Sequence, residues 1–342
     1  MVSTIPILLA FVQATVPADS GEVHLRNIRQ LTFGGQNAEA YFSGSGKFLI
    51  FQRTGTAEKC DQMYVMRVDG SGLTRVSSGR GRTTCGWFFD QDRRIFYAST
   101  EASDSACPPR PDYSHGYVWA LYPYDIYTAQ ADGSQQRRLT KNGVYTAEGT
   151  LSSDGTTIVF TSLKDGDLDI YTMRVDGSHL RRLTHTLGYD GGPVFSPDGK
   201  LIAYRAFHPQ TSADSAEYRG LLAQHLVKPT RMDIWVMNVD GSNQHMVAHV
   251  PGGPSFAPSF FPDGKRIIFA ANPAFETQQS LNFDLFVVNV DGTGLERITT
   301  SPEFDAFPMF SPDGKQLVWI SGRRRMAPHE SNVFIADWVD HP

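Results

Sequence analysis

An all-β fold, a six-bladed β-propeller of four-stranded blades with its last blade closed by the N-terminal strand, is what this 342-residue sequence predicts. Three recurring phrases carry the prediction. The first is a turn, Val68-Asp69-Gly70-Ser71, Ala131-Asp132-Gly133-Ser134, Val175-Asp176-Gly177-Ser178, Val239-Asp240-Gly241-Ser242 and Val290-Asp291-Gly292-Thr293. The second alternates with it: Ser153-Asp154-Gly155, Pro197-Asp198-Gly199, Pro262-Asp263-Gly264 and Pro312-Asp313-Gly314. The third sets the period: Leu31-Thr32, Val76-Ser77, Leu139-Thr140, Leu183-Thr184, Val247-Ala248 and Ile298-Thr299.

Asp-Gly between apolar runs marks a tight hairpin, because such turns need positive φ and glycine supplies it without strain. Two hairpins per repeat mean four strands, and repeats of roughly 40–50 residues before insertions are the size of propeller blades. The strands themselves agree. In Asp233-Ile234-Trp235-Val236-Met237-Asn238-Val239 both faces are apolar, so both must be covered, as stacked blades allow. The repeats run over residues 33–76, 77–139, 140–183, 184–247, 248–298 and 299–338. The last ends at Asn332-Val333-Phe334-Ile335-Ala336-Asp337-Trp338 without a fourth strand. Residues 22–32 end in Arg29-Gln30-Leu31-Thr32, which reads like the fourth strands of other repeats, and so close the circle and remove two sheet edges.

Composition narrows the function. Lysine and arginine number 31 against 36 acidic residues, for a net charge of −5, so nothing draws the chain to nucleic acid or anionic lipid. No apolar run reaches the ~20 residues of a membrane span. Residues 1–18 read as a candidate secretory signal: an apolar stretch over 5–12 precedes possible cleavage points after Ala14 and Ala18, although Met1-Val2-Ser3-Thr4 lacks a basic residue.

The phrase Phe195-Ser196-Pro197-Asp198-Gly199-Lys200, with Asp-Ile-Tyr or Asp-Ile-Trp and Arg-Leu-Thr segments around it, resembles the WD-like repeats of the TolB-type propeller family. The resemblance covers residues 22–342 and implies a periplasmic or secreted six-bladed propeller that acts as a protein-interaction module, without the α/β domain that precedes the propeller in TolB itself. It implies an envelope or membrane-complex protein as partner, with the propeller monomeric by itself and able to serve as a peripheral subunit of a membrane-attached complex. The same repeats occur in propellers attached to prolyl-oligopeptidase-like hydrolases.

Every Asp-Gly turn belongs to one rim of the ring. The extra length, over residues 99–124, 206–232, 271–283 and 321–331, belongs to the other, and long insertions on one face of a repeat scaffold mark a binding side. On that face the positions before the proline-like start of each inner strand read Glu39, Cys85, Glu148, Gly192, Ala257 and Phe307. Glu39 and Glu148, with Asp190 and Asp305 two residues earlier in their repeats, converge near the channel mouth without evident basic partners. They are candidates to hold a cation such as calcium at Glu39 and Glu148. Arg205, His208, His115 and Trp119 complete the ligand- or partner-binding candidates. The repeated Asp125, Asp169, Asp233 and Asp284 recur at one repeat position and read as structural acceptors.

The three cysteines fall on the insertion-bearing side, with Cys60–Cys85 the expected disulfide and Cys85–Cys107 its alternative. Neither a Gly-x-Ser-x-Gly elbow nor a His-Glu-x-x-His helix occurs. No catalytic residue is assigned. The expected function is a non-catalytic interaction and assembly module. The alternative is a glycan or small-molecule lyase or hydrolase using Glu148, Asp190, Arg205 and His208.

Overall fold

The computed structural model describes residues 15–278 and 281–340. Six four-stranded antiparallel sheets follow one another along the chain as blades. Blade one comprises Gln36–Phe42, Phe48–Thr54, Gln62–Arg67 and Thr74–Arg75, and blade two Thr83–Phe89, Arg94–Ser99, Asp125–Gln130 and Arg137–Arg138. Blade three comprises Thr146–Leu151, Thr157–Ser162, Asp169–Arg174 and Arg181–Arg182. Blade four comprises Tyr189–Phe195, Leu201–Phe207, Asp233–Asn238 and His245–Ala248. Blade five holds Ser255–Phe260, Arg266–Ala271, Asp284–Asn289 and Glu296–Arg297. The turn phrases sit where the pattern placed them; Gly199, for example, takes φ +70° in the first hairpin of blade four.

Blade six joins the two ends of the chain. Asp305–Phe310, Gln316–Ser321 and Asn332–Trp338 are completed by Leu25–Gln30, which pairs antiparallel with the last strand from Leu25 opposite Trp338 to Gln30 opposite Phe334. The N-terminal strand also brings the clasp found in other blades. In blade two the Thr140 hydroxyl donates to Asp125 at 2.8 Å and accepts from the Ile126 N–H at 2.9 Å. In blade six Thr32 donates to Asn332 at 3.2 Å and accepts from the Val333 N–H at 2.9 Å. A buried ion cluster reinforces the joint: Arg323 bridges Glu22, ahead of the closing strand, and Asp305 on the innermost strand.

Of the candidate signal over residues 1–18, residues 1–14 lie outside the described residues. Thr15–Val16 adds a fifth strand beyond Leu25–Gln30, which the repeat pattern did not foretell. A cut after Ala14 would keep that strand and a cut after Ala18 would remove it.

The core lies between blades. Ile234 and Val236 pack toward blade five with Ile267 and Phe269, whereas Met237 and Trp235 pack toward blade three with Val159 and Ile170. That two-sided burial is why the strand carries no polar face. At about 25 cal/mol per Å² of apolar surface removed from water, such interfaces supply most of the driving force for folding.

Insertions occupy the second-to-third connections of blades two, four, five and six. Those of blades two and four fold together. Trp119–Ala120 pairs antiparallel with Leu226–Val227, and the helix Ser212–Leu222, N-capped by Thr211, packs beside them. Val118, Leu221 and Leu226 form a small core of their own. A disulfide joins Cys60 to Cys107, with Cα atoms 5.8 Å apart, and Cys85 is a buried free thiol. This corrects both expected pairings, Cys60–Cys85 and Cys85–Cys107. Cys85 faces inward on the first strand of blade two, while the blade-two insertion returns over the outer loop that carries Cys60. Among the described residues no helix is long and apolar enough to cross a membrane.

Candidate functional site

Each inner strand starts at the insertion-bearing rim and carries a bulge where its register with the second strand slips, as between Ala38 and Tyr41 or Ala147 and Thr150. The extra residue is in the left-handed region in every blade: Glu39 (φ 54°), Cys85 (53°), Glu148 (61°), Gly192 (58°), Ala257 (53°) and Phe307 (55°). Bulges re-aim side chains. Here they turn one residue per blade toward the ring axis. Two residues further on, Tyr41, Trp87, Thr150, Val194, Ser259 and Met309 form a second tier. Together with Arg205 the two tiers line a narrow cavity on the axis, with ≈ 40 Å³ open to the centre of a water molecule.

Glu148 is the most heavily bonded group in it. Its Oε2 accepts from the Thr161 hydroxyl and the Gly192 N–H, both at 2.7 Å, and its Oε1 from the Tyr189 hydroxyl at 3.0 Å. Arg205, 8% exposed, forms an ion pair with the same carboxylate, itself 10% exposed. Burial opposes the charge on Glu148, but the guanidinium and these donors outweigh it and hold the carboxyl below its ordinary range. Glycine makes the approach feasible, since a Cβ on Gly192 would stand 2.2 Å from Arg205 Nη1. Above the pair, the Arg205 guanidinium lies 5.2 Å from the ring centres of both Trp119 and Tyr189. Trp119 also meets Phe256 edge-on at 6.2 Å, so the insertion supplies a wall over the channel cluster.

Glu39 is different. Burial pushes its carboxyl up to about 7; a hydrogen bond from the Cys85 thiol pulls the other way, and the nearby Glu148 charge adds to the rise. Its Oε2 is buried with no hydrogen-bond partner. Cys85 is held as the neutral thiol, since burial and then the Glu39 and Glu148 charges push its pKa well up.

The remaining candidates are placed as follows. His208 Nε2 lies 2.9 Å from Asp190 Oδ1, beside the channel cluster. Burial works against the charged ring, and the Asp190 bond and charge reverse the effect, so the His208 pKa is raised. Asp305 is fully buried and bonded by Trp319 Nε1 at 3.0 Å and Arg323 Nη2 at 2.8 Å. His115 ends the short turn Tyr113–His115 in the blade-two insertion. Glu39, Glu148, Arg205 and Trp119 therefore come together, Asp190 and His208 stand as a neighbouring pair, and Asp305 and His115 lie apart.

Contrary to the expectation that the channel acids lack basic partners, Glu148 is paired with Arg205. The guanidinium already supplies the charge a calcium ion would have brought. Among the described residues no group of three or more His, Cys, Asp or Glu is placed to hold a metal. The repeated aspartates bond within their own blades, chiefly to side chains and not to the backbone N–H groups expected from the sequence. Asp125, Asp169 and Asp284 pair with Arg138, Arg182 and Arg297, and Asp233 with His249.

Tyr41 and Trp87 were not singled out from sequence, although strand alternation places them on the channel side two residues past each bulge. Tyr145 and Tyr189 were also not singled out, although they share one repeat position, three residues before the bulge, which Phe304 fills in blade six.

The sequence profile of the TolB β-propeller domain matches residues 123–214 and 207–328. The chain belongs to the TolB β-propeller family. Among curated relatives of this TolB-family chain, an uncharacterised protein of Agrobacterium fabrum is 32% identical over 110 residues, 32% of this chain and 31% of that one. The Tol-Pal system protein TolB of Polaromonas sp. is 37% identical over 62 residues, 18% of this chain and 15% of that one. The matched stretches thus span less than a third of either relative. Solved structures share the fold at low identity. TolB from Acinetobacter baumannii has a TM-score of 0.57 at 16% identity, over 90% of this chain and 65% of that one. A gluconolactonase from Xanthomonas campestris scores 0.59 at 14% identity, over 96% and 95%. An oligogalacturonate lyase from Vibrio parahaemolyticus scores 0.53 at 14% identity, over 95% and 96%. Likeness at these identities concerns the fold, since propellers carry unrelated functions.

Proposed function

We propose that this propeller is a non-catalytic interaction module of the cell envelope that docks an envelope or membrane-complex protein through its insertion-bearing face. The carrying observation is a pair of exposed apolar side chains on that rim, Phe33 at 63% and Met326 at 85% exposure. They are held in an ordered setting. The Glu330 carboxylate accepts from the Gly34 N–H at 3.1 Å and the Met326 N–H at 2.9 Å, which fixes the blade-six insertion beside the passage into blade one. Large apolar groups displayed on a braced loop suit a protein partner. Tyr113, 53% exposed, extends the display onto the blade-two insertion.

The Cys60–Cys107 bond supports an exported, periplasmic or secreted setting, since disulfides persist in oxidising compartments. The lyase or hydrolase alternative has weaker support, because Glu148, Asp190, Arg205 and His208 are spent on one another. The test is tagged capture from envelope extracts with mass spectrometry, comparing wild type with the double variant Phe33→Ser, Met326→Ser. A partner recovered by the first and lost by the second, at equal melting temperature, supports the reading. Equal recovery by both refutes the face assignment.

A further inference from the structure

The axial cavity carries one acid that the surrounding structure leaves unmatched. Glu148 is neutralised by Arg205 and saturated with donors. Asp61, whose charge also acts on Glu39, pairs with Arg82 at 3.6 Å. Of the two acids that line the cavity, only Glu39 has a buried oxygen, Oε2, with no donor among the described residues. A buried carboxylate oxygen left so costs free energy that a bound donor would recover.

The walls indicate which donor. Tyr41 and Trp87 stand 5.2 Å apart, ring centre to ring centre, with Phe307 and Met309 completing an apolar side. Aromatic faces attract organic cations, whereas a hard metal ion needs about six to eight oxygen ligands. One unmatched carboxylate among aromatic walls cannot supply those ligands. Anions are disfavoured by Glu39, and Arg205 is committed elsewhere.

We infer that the channel binds a primary ammonium group, with Glu39 as its counter-ion and Tyr41 and Trp87 as its walls. This site does not depend on the docking face proposed above. The ammonium could belong to a free aliphatic amine or to a lysine side chain. Because Glu39 must be ionised, binding falls as pH drops. The groups that set its titration are Cys85, Glu148, Arg205, Asp61 and Tyr41.

The test titrates the whole chain with n-butylamine, and separately with a capped lysine pentapeptide, following Trp fluorescence and heat at pH 8.5 and pH 5.5. Saturable binding of either probe at pH 8.5, at least tenfold weaker at pH 5.5, is the expected result, and the probe that binds identifies the source of the ammonium. Glu39→Gln should abolish it, and Glu39→Asp should retain part of it; thermal melts confirm that both variants fold. Sodium acetate should give no signal. Failure of both probes on the folded wild type overturns the inference. So does amine binding unchanged in Glu39→Gln, or Glu39-dependent binding of calcium in place of amine.

Discussion

Replacing Glu39 with glutamine should stabilise the protein, and by an amount that depends on pH. The carboxyl has a folded pKa of about 7 against an ordinary 4.5. A gap of about 2.5 pH units, at about 1.4 kcal/mol per unit, corresponds to about 3 kcal/mol. The sign follows from proton binding. Between pH 4.5 and 7 the folded state holds more protons at this site than the unfolded state, so stability falls as pH rises through that window. Below 4.5 both states are protonated and the penalty is absent; above 7 it is complete. Glu39→Gln removes the charge while keeping the shape. Urea unfolding at pH 8.5 should therefore show the variant more stable by up to about 3 kcal/mol, shrinking to near zero at pH 4.5. Asp169 and Asp284, also pushed up to about 7, are present in both proteins and cancel in the difference. A stability difference that stays constant between the two pH values would refute the argument, as would a wild type that is the more stable at pH 8.5.

The other expectations concern the ring closure and the channel cluster. Arg323→Met leaves Glu22 and Asp305 buried without their cation and should cost about 3–5 kcal/mol in denaturant unfolding. Thr32→Val removes the clasp of the closing strand and should cost about 1–3 kcal/mol by the same assay. Reducing the Cys60–Cys107 disulfide, which spans 47 residues, should lower stability by up to about 4 kcal/mol, while Cys85 stays unreactive to alkylating agents until the protein unfolds. Arg205→Ala strands Glu148 in the channel and should also cost about 3–5 kcal/mol, so its melting temperature should fall well below that of the Phe33→Ser, Met326→Ser variant.

Much of the architecture was legible because the repeats state it six times over. Turn phrases located the hairpins, the Leu-Thr marker gave the period, and the resemblance of residues 29–32 to other fourth strands predicted how the ring closes. The six residues preceding the proline-like start of each inner strand were legible as channel-lining positions, but the bulge and left-handed backbone they share were not. What could not be read were contacts between insertions. Nothing periodic ties Trp119 to Leu226–Val227 or Cys60 to Cys107, since these meetings depend on how two non-repeating loops cross the rim. The pairing of Glu148 with Arg205 was missed for a similar reason. Arg205 lies on the second strand of blade four and reaches toward blade three across Gly192, so its partner is set by the absence of a side chain on an intervening residue.

Physical variation among the blades locates where function can reside. The acid at the start of the third strand recurs as Asp125, Asp169, Asp233 and Asp284, with Gln62 and Asn332 in its place in blades one and six, because the position supplies an acceptor that ties the third strand to the fourth. The bulge position obeys a backbone rule instead. All six residues there share one left-handed conformation, yet their side chains are Glu, Cys, Glu, Gly, Ala and Phe. A non-glycine residue in that conformation costs of order 1 kcal/mol or more, so the backbone is held by the blade and the side chain is left to the channel. Blade-to-blade differences at this ring, and at the tier behind it, set the charge and shape of the cavity without disturbing the strands. Glu39 and Glu148 are the two acids in that ring, and only one of them has been given a cation by the protein itself.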